Sequence, residues 1–184
     1  MLGTLKTETA RTRSDLLAPS VAAALDAWPA DAPVDADQVL VAPIDAALSD
    51  TAAFCEAYEV SPEETVNCVI VAGKREGEVR YAACVVLATT RADVNSVVRR
   101  HLGVRKCSFA PMDDAVSATG MEYGGITPIG LPADWSVLVD PRVVAVPHVV
   151  IGSGIRGSKI VLPGTALAAL PNAEVVPDLA KPVQ

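Results

Sequence analysis

The residues from Thr119 to Gly130, Thr-Gly-Met-Glu-Tyr-Gly-Gly-Ile-Thr-Pro-Ile-Gly, have the types and spacing of a loop that could do chemistry with its main chain. Gly124 and Gly125 carry no side chain, so their amides can approach a carbonyl or phosphate oxygen closely, and Pro128 restrains Thr127 to an extended conformation. Such a loop can bind an oxyanion with peptide N–H groups alone. Gly and Pro also mark ordinary turns, so composition leaves open a plain connection between a helix and a strand.

Other chemistries fit less well. Gly152-Ser-Gly-Ile-Arg-Gly157 spells G-x-G-x-x-G after a strand, but a dinucleotide site needs a helix directly behind it. Here Lys159-Ile-Val-Leu is strand-like, Pro163-Gly164 interrupts any helix, and too little chain remains for a nucleotide-binding half. There is no G-x-S-x-G and no Walker loop; His101 falls in a basic helix, and His148, after Pro147, reads as a hydrogen-bonded sheet residue. The four cysteines, Cys55, Cys68, Cys84 and Cys107, show no zinc-ligand spacing, and Cys68 and Cys84 lie in apolar runs where a reduced thiol is a small buried hydrophobe. Neither a metal nor another cofactor is expected. An enzyme built on this sequence would have to rely on backbone donors, hydroxyls and a carboxylate such as Asp140.

The elements that must position the loop read as strands interleaved with short helices. Residues 1–13 look like a flexible start, and one domain spans 14–180. Ser14 could cap a helix with Leu17, Val21, Leu25 and Trp28 on one stripe, ending before Pro29. A short strand over Gln38–Ala42 and a helix over Thr51–Tyr58 follow. Val66–Ala72 and Val79–Ala88, joined by a charged turn, form the clearest hairpin, and the second strand is apolar enough to be covered on both faces. Thr90-Arg-Ala-Asp93 offers a capping box for a helix through Leu102 that stops at Gly103. Around its end lie Arg99, Arg100, Arg105 and Lys106, which read either as a solvated helix end favoured by the dipole or as a phosphate-contacting patch. A short helix from Pro111 stops at Gly120. Ser136–Asp140, Val143–Ile151, Lys159–Leu162 and Glu174–Val176 read as strands, with a helix over Pro163–Leu170. The class expected is α+β, a mixed, curved sheet of about seven strands flanked by short helices.

The chain of 184 residues, 51% of them hydrophobic, is long enough for one sizeable core. A formal charge of −7 argues against a general nucleic-acid coat while allowing a local basic patch. With no apolar run of membrane-spanning length and a polar start, the protein reads as soluble and cytoplasmic, with no membrane partner.

Thr119-Gly120, Gly124-Gly125-Ile126-Thr127-Pro128-Ile129-Gly130, Asp140 after a strand, and Gly152-Ser153-Gly154 with Arg156 and Gly157 fall in the order and spacing of the YbaK/ProX family. The chain resembles this family from about Leu16 to Leu179. Its members are free-standing relatives of the editing domain inserted in bacterial prolyl-tRNA synthetases. The resemblance implies a trans-editing aminoacyl-tRNA deacylase whose partners are aminoacyl-tRNA and, further, an aminoacyl-tRNA synthetase. By position, Gly124, Gly125, Ile126 and Thr127 would surround the ester carbonyl and terminal adenosine, their amides stabilising the oxyanion. Asp140 would brace that loop; Gly152, Ser153, Gly154 and Arg156 would line the opposite wall; Gly120, Pro128 and Gly130 would complete the substrate-binding frame. Arg99, Arg100, Arg105 and Lys106 are candidate tRNA contacts. The resemblance further implies hydrolysis without a protein nucleophile, water attacking with help from the substrate's ribose hydroxyl or, for a cysteinyl ester, its thiol. Two positions depart from the family. Asn67 stands where most members have a lysine associated with activity, and Ala42-Pro43 stands for a histidine-proline pair. An amide can hydrogen-bond a carbonyl or phosphate but supplies no cation, so electrostatic stabilisation from that position is lost. A second function therefore stands beside the first: a binding module of the same fold that holds an aminoacyl or nucleotide-like ligand, or tRNA, without turnover.

Overall fold

The computed structural model describes residues 2–183, and the first of them already belong to the fold. Leu5 and Ala10 are buried, and Glu8–Thr9 (β1) pairs antiparallel with Leu40–Pro43 (β2). The segment expected to be a flexible start is thus packed, because its few apolar residues find a sheet edge to cover. The first helix begins later than Ser14. Ser14–Leu16 forms only a 3-10 turn, and Pro19–Asp26 (α1) starts at a proline whose missing N–H and fixed φ suit the first helical position. Val21 and Leu25 turn its buried face to the core.

Thr51–Tyr58 (α2) is helical as its pattern suggests, with Phe54 fully buried. The hairpin forms from Val66–Arg75 (β3) and Glu78–Leu87 (β4). Beyond it, Thr90–Ala92 (β5) is a strand rather than a capping box. Asp93 does the capping, its carboxylate accepting from Ser96 N at 3.0 Å, ahead of a wide π-helical turn over Val94–Val98 that runs into Arg99–Leu102 (α3). Cys107–Phe109 (β6), Met112–Thr119 (α4) and Ser136–Val139 (β7) follow. The expected strand over Val143–Ile151 divides. Asp140 caps and Pro141 opens a short helix, Pro141–Ala145 (α5), and only Val149–Gly152 (β8) is extended. The β-branched residues of α5 hid a helix that the Asp-Pro start determines. Accordingly His148, expected inside a strand, lies exposed in the connection before β8. The chain ends with Ser158–Leu162 (β9), Gly164–Ala168 (α6), Ala173–Val175 (β10) and Ala180–Pro182 (β11).

The class is α+β, with open sheets of mixed strand orientation. Among the described residues the strands divide into a four-stranded antiparallel sheet (β1-β2-β9-β8), a mixed five-stranded sheet (β10-β7-β4-β3-β6) and the pair β11-β5, rather than one sheet. β4 is central, buried on both faces from Ala82 to Leu87. The main core lies between the two larger sheets, α1 and the α5–α6 pair, with Val85, Val139, Ile151, Ile160, Val21 and Leu167 in contact. Thr65 joins the sheets. It bridges Val150 in parallel; Val150 N donates to Glu64 O and Ala88 N to Thr65 O, each at 2.8 Å. No helix among the described residues is long and apolar enough to cross a membrane.

Candidate active site

An open cleft of about 570 Å³ lies where the start of β3 meets β9, the segment before α2 and the loop after α4. One wall is the turn at Tyr123–Ile126. The floor is formed by Val66 to Ile70 of β3 and Lys159 of β9, and the far wall by Ser49, Asp50 and Thr51. Phe109, Met112 and Tyr123 stand on the rim, with Phe109 67% and Tyr123 57% exposed.

The glycine loop is held by peptide groups. Gly125 N donates to Glu122 O at 2.9 Å, closing a turn in which Gly124, at φ +84°, occupies the third position that a type II turn reserves for glycine. The Gly125 amide is therefore committed inside the loop and does not face the cleft, contrary to the expectation that both glycine amides point at a ligand. Gly124 and Ile126 line the cleft, whereas Gly125 and Thr127 are buried behind it. Gly125 and Gly152 serve close packing. A Cβ on Gly125 would lie 2.7 Å from the Ile155 carbonyl carbon, and one on Gly152 would lie 2.5 Å from Gly125 O. Gly154 N donates to Gly125 O at 2.8 Å, and Glu122 N to Gly154 O at 2.8 Å, so the loop is stitched to the turn between β8 and β9.

That second turn braces rather than lines. Of its expected site residues only Gly152 reaches the cleft. Ser153 is buried, its hydroxyl sharing a 2.7 Å bond with Ser158 Oγ, and Gly154 packs against α1. Arg156 ties the two walls together. Its Nη1 donates to Tyr123 O and its Nη2 to Ala46 O, both at 3.3 Å; Nη2 lies 3.9 Å from Asp50 Oδ1, and its N–H donates to Glu122 Oε2 at 2.7 Å. Gly120 caps α4, Gly130 packs against Ser20 of α1 and Pro128 is buried, and none of the three lines the cleft. Asp140 does not brace the glycine loop. It is buried, accepts from Arg142 N at 2.9 Å and Ala180 N at 3.1 Å, and so fastens α5 to β11.

On the floor, Asn67 Oδ1 accepts from Thr51 Oγ1 at 2.9 Å, which leaves the amide NH₂ as the part of Asn67 that can serve the cleft. Lys159, 9% exposed, reaches the same cleft from β9 and donates to Ser49 O at 3.0 Å. Burial lowers its pKa from the ordinary lysine value; Asp50 and Cys55 oppose that shift and Arg156 adds to it. The residue-pattern reading missed Lys159. The available signal was a lone cation in the apolar run Ser158-Lys-Ile-Val-Leu162. Cys68 also lines the cleft, but burial raises its thiol far above neutrality, so it offers no thiolate nucleophile. Ser49 Oγ, which would lie 3.8 Å from a Cβ on Gly124, and Thr127 Oγ1 are buried without a partner among the described residues.

The basic residues form a separate ridge. Arg99 and Arg100 turn back on their own helix, donating to Asn95 O and Ser96 O. Arg105 and Lys106 are exposed just before β6, whose far end, Phe109, is on the cleft rim, a span of about 10 Å at strand rise.

Residues 45–170, more than half of the chain, match the family described as aminoacyl-tRNA editing domain, and the chain belongs to that family. Among solved structures, one described as a candidate trans-editing enzyme for prolyl tRNA synthetase is similar in fold, with TM-score 0.71 and 19% identity over 87% of this chain and 94% of that one. A scaffold used for grafting linear epitopes gives TM-score 0.71 and 19% identity, covering 88% and 97%. A hypothetical protein gives TM-score 0.65 and 22% identity, covering 78% and 90%.

Proposed function

We propose that this chain removes a wrongly attached amino acid from tRNA in trans by hydrolysing the aminoacyl ester. The observation that carries this reading is the cleft itself. It is open, within the size range of small-ligand sites, and its polar lining consists of peptide groups, the Ser49 and Thr51 hydroxyls, the Asp50 carboxylate, an amide and an ammonium, with no histidine or thiolate nucleophile among the lining residues. Such a lining can hold an ester and its oxyanion while water attacks. Ile70, Ala115 and Ile126, which pack together beside Cys68, form an apolar end suited to a small acyl side chain. Phe109 and Tyr123 on the rim offer faces on which the unstacked 3′ bases can lie. Arg105 and Lys106 extend this path for phosphates, with Arg99 and Arg100 behind them. A synthetase that makes the error is the natural partner, in the cytoplasm where tRNA is charged.

One observation favours the second reading, a binding module without turnover. Gly125 N–H is already satisfied by Glu122 O, so an oxyanion site made of both glycine amides does not exist in this loop. A panel of purified tRNAs, each charged with a different amino acid, separates the two. Release of at least one amino acid well above the spontaneous rate is expected. Saturable tRNA binding with no release across the panel would establish the module instead.

A further inference from the structure

Lys159 is held in the cleft by arrangements that a merely structural residue would not need. Its neighbours across the sheet are Ala42 on β2 and Gly152 on β8, two of the smallest side chains available. Directly opposed residues of antiparallel strands share a face, so these small flanks leave the lysine stem its room. The stem brings Nζ to 5.2 Å from the Phe54 ring centroid, where the aromatic face favours a cation. An ammonium has three N–H donors, and among the described residues only the bond to Ser49 O uses one. The titratable and charged groups that face it are Asp50 from the far wall, the Cys55 thiol from α2, and Arg156 from the turn before β9. Asp50 is shared with Arg156 at 3.9 Å, and no carboxylate of the described residues forms an ion pair with Lys159. A buried ammonium without its own anion is costly, and an apolar residue like its neighbours Ile160 and Val161 would avoid that cost.

We propose that Lys159 supplies the cation of this cleft from β9, its ammonium meeting the ester carbonyl oxygen of the aminoacyl-adenosine end. The proposal rests on the deacylase reading. In the step, the water oxygen bonds to the ester carbon and the carbonyl electron pair moves onto the oxygen facing Nζ. Collapse of that adduct breaks the bond to the ribose oxygen, which takes the proton lost by water, and the amino acid leaves with a free carboxyl group. The ammonium keeps its proton throughout.

The experiment uses the full chain, the best substrate of the charged-tRNA panel, and adenosine analogues in which the same amino acid is joined through a 3′-amide that cannot be hydrolysed. Lys159→Met is expected to lower kcat/KM at least 100-fold and weaken analogue binding at least tenfold, with the melting temperature and far-ultraviolet circular dichroism showing a folded chain. Adding Asn67→Lys to Lys159→Met is expected to recover at least tenfold in kcat/KM, because the charge returns to the same hollow from the other strand; a structural role for Lys159 would give no such rescue. Should Lys159→Met lose its fold, Lys159→Arg, which keeps charge and stem but moves the donors, carries the comparison, with a tenfold fall in kcat expected. Activity and analogue affinity of Lys159→Met within threefold of wild type would overturn the role of Lys159 while leaving deacylation standing. A wild type that binds the analogues but releases nothing removes the deacylase reading, and analogue affinity then decides whether Lys159 meets the acyl end. A wild type that neither releases nor binds overturns both.

Discussion

The two sides of the cleft are built on different principles. The wall at Tyr123–Ile126 is positioned by main-chain bonds, Gly125 N to Glu122 O and Gly154 N to Gly125 O, and by glycines whose missing side chains let two backbones touch. The floor is positioned by strand pairing, and what it offers the cleft is side chains, Asn67 from β3 and Lys159 from β9. A peptide-built wall tolerates little substitution, since a Cβ on Gly125 or Gly152 would meet backbone and one on Gly124 would meet the Arg156 guanidinium. A side-chain-built floor can exchange its residues, provided their neighbours stay small.

The sharpest way to break the contrast is Gly152→Ala. The new methyl would lie 2.5 Å from Gly125 O, so the wall must shift. Deacylation should fall about 100-fold, the scale expected when a site is misplaced by an ångström, and stability should fall by about 1–3 kcal/mol from overpacking. Activity within threefold of wild type in the panel assay would mean that the wall's position is not critical. Arg156→Ala comes next. It removes the bonds from the guanidinium to Tyr123 O and Ala46 O while leaving both walls' own turns intact. A loss of about tenfold in kcat/KM is expected, in keeping with hydrogen bonds from a partly exposed charged group.

The hairpin that carries the floor has an alkaline signature, with Cys68 on the floor and Cys84 buried on β4 beside it. Burial pushes the Cys84 thiol up to about 12 and raises that of Cys68 as well. In the unfolded chain these thiols lose their protons near 9, so the unfolded state gains and stability falls as pH rises above that value. The loss should be roughly 1 kcal/mol per thiol between pH 9 and 10. Lys159 acts in the opposite sense. Its folded pKa is lowered, so the folded chain sheds that proton before the unfolded chain does, and its contribution rises with pH in the window below the ordinary lysine value. Denaturant melts between pH 8 and 10 should show a net decline that Cys84→Ala flattens; an unchanged slope in that variant would remove Cys84 as its source. The smallest effect belongs to Thr51→Val, which takes the hydroxyl away from Asn67 Oδ1 and frees the amide to rotate. A rise of about threefold in KM with kcat little changed is expected from one neutral hydrogen bond.

The same division separates what was legible in the sequence from what was not. α2 and the β3–β4 hairpin could be read directly, because long apolar runs were punctuated by charged turns. The glycine turn could be located but not oriented, since whether Gly125 N–H points at a ligand or at Glu122 O depends on one dihedral choice. α5 was hidden by its valines, whose β preference masked the capping pair Asp140-Pro141. Asp140 itself was misassigned because its partners, Arg142 N and Ala180 N, are brought together only by the tertiary fold. Lys159 escaped for the same reason. Its distance from Asn67 along the chain says nothing about the hollow they share, and only the pairing of β9 with β8 and β2 reveals it.

Thr65 has a bearing on how such a hollow can change over generations. Through it the strand that carries Asn67 is riveted to Val150, beside the hairpin that carries Lys159, so the two frameworks keep one spacing whatever residues they present. A positive group can then migrate from one framework to the other through two point substitutions, without redrawing the outline that the substrate meets.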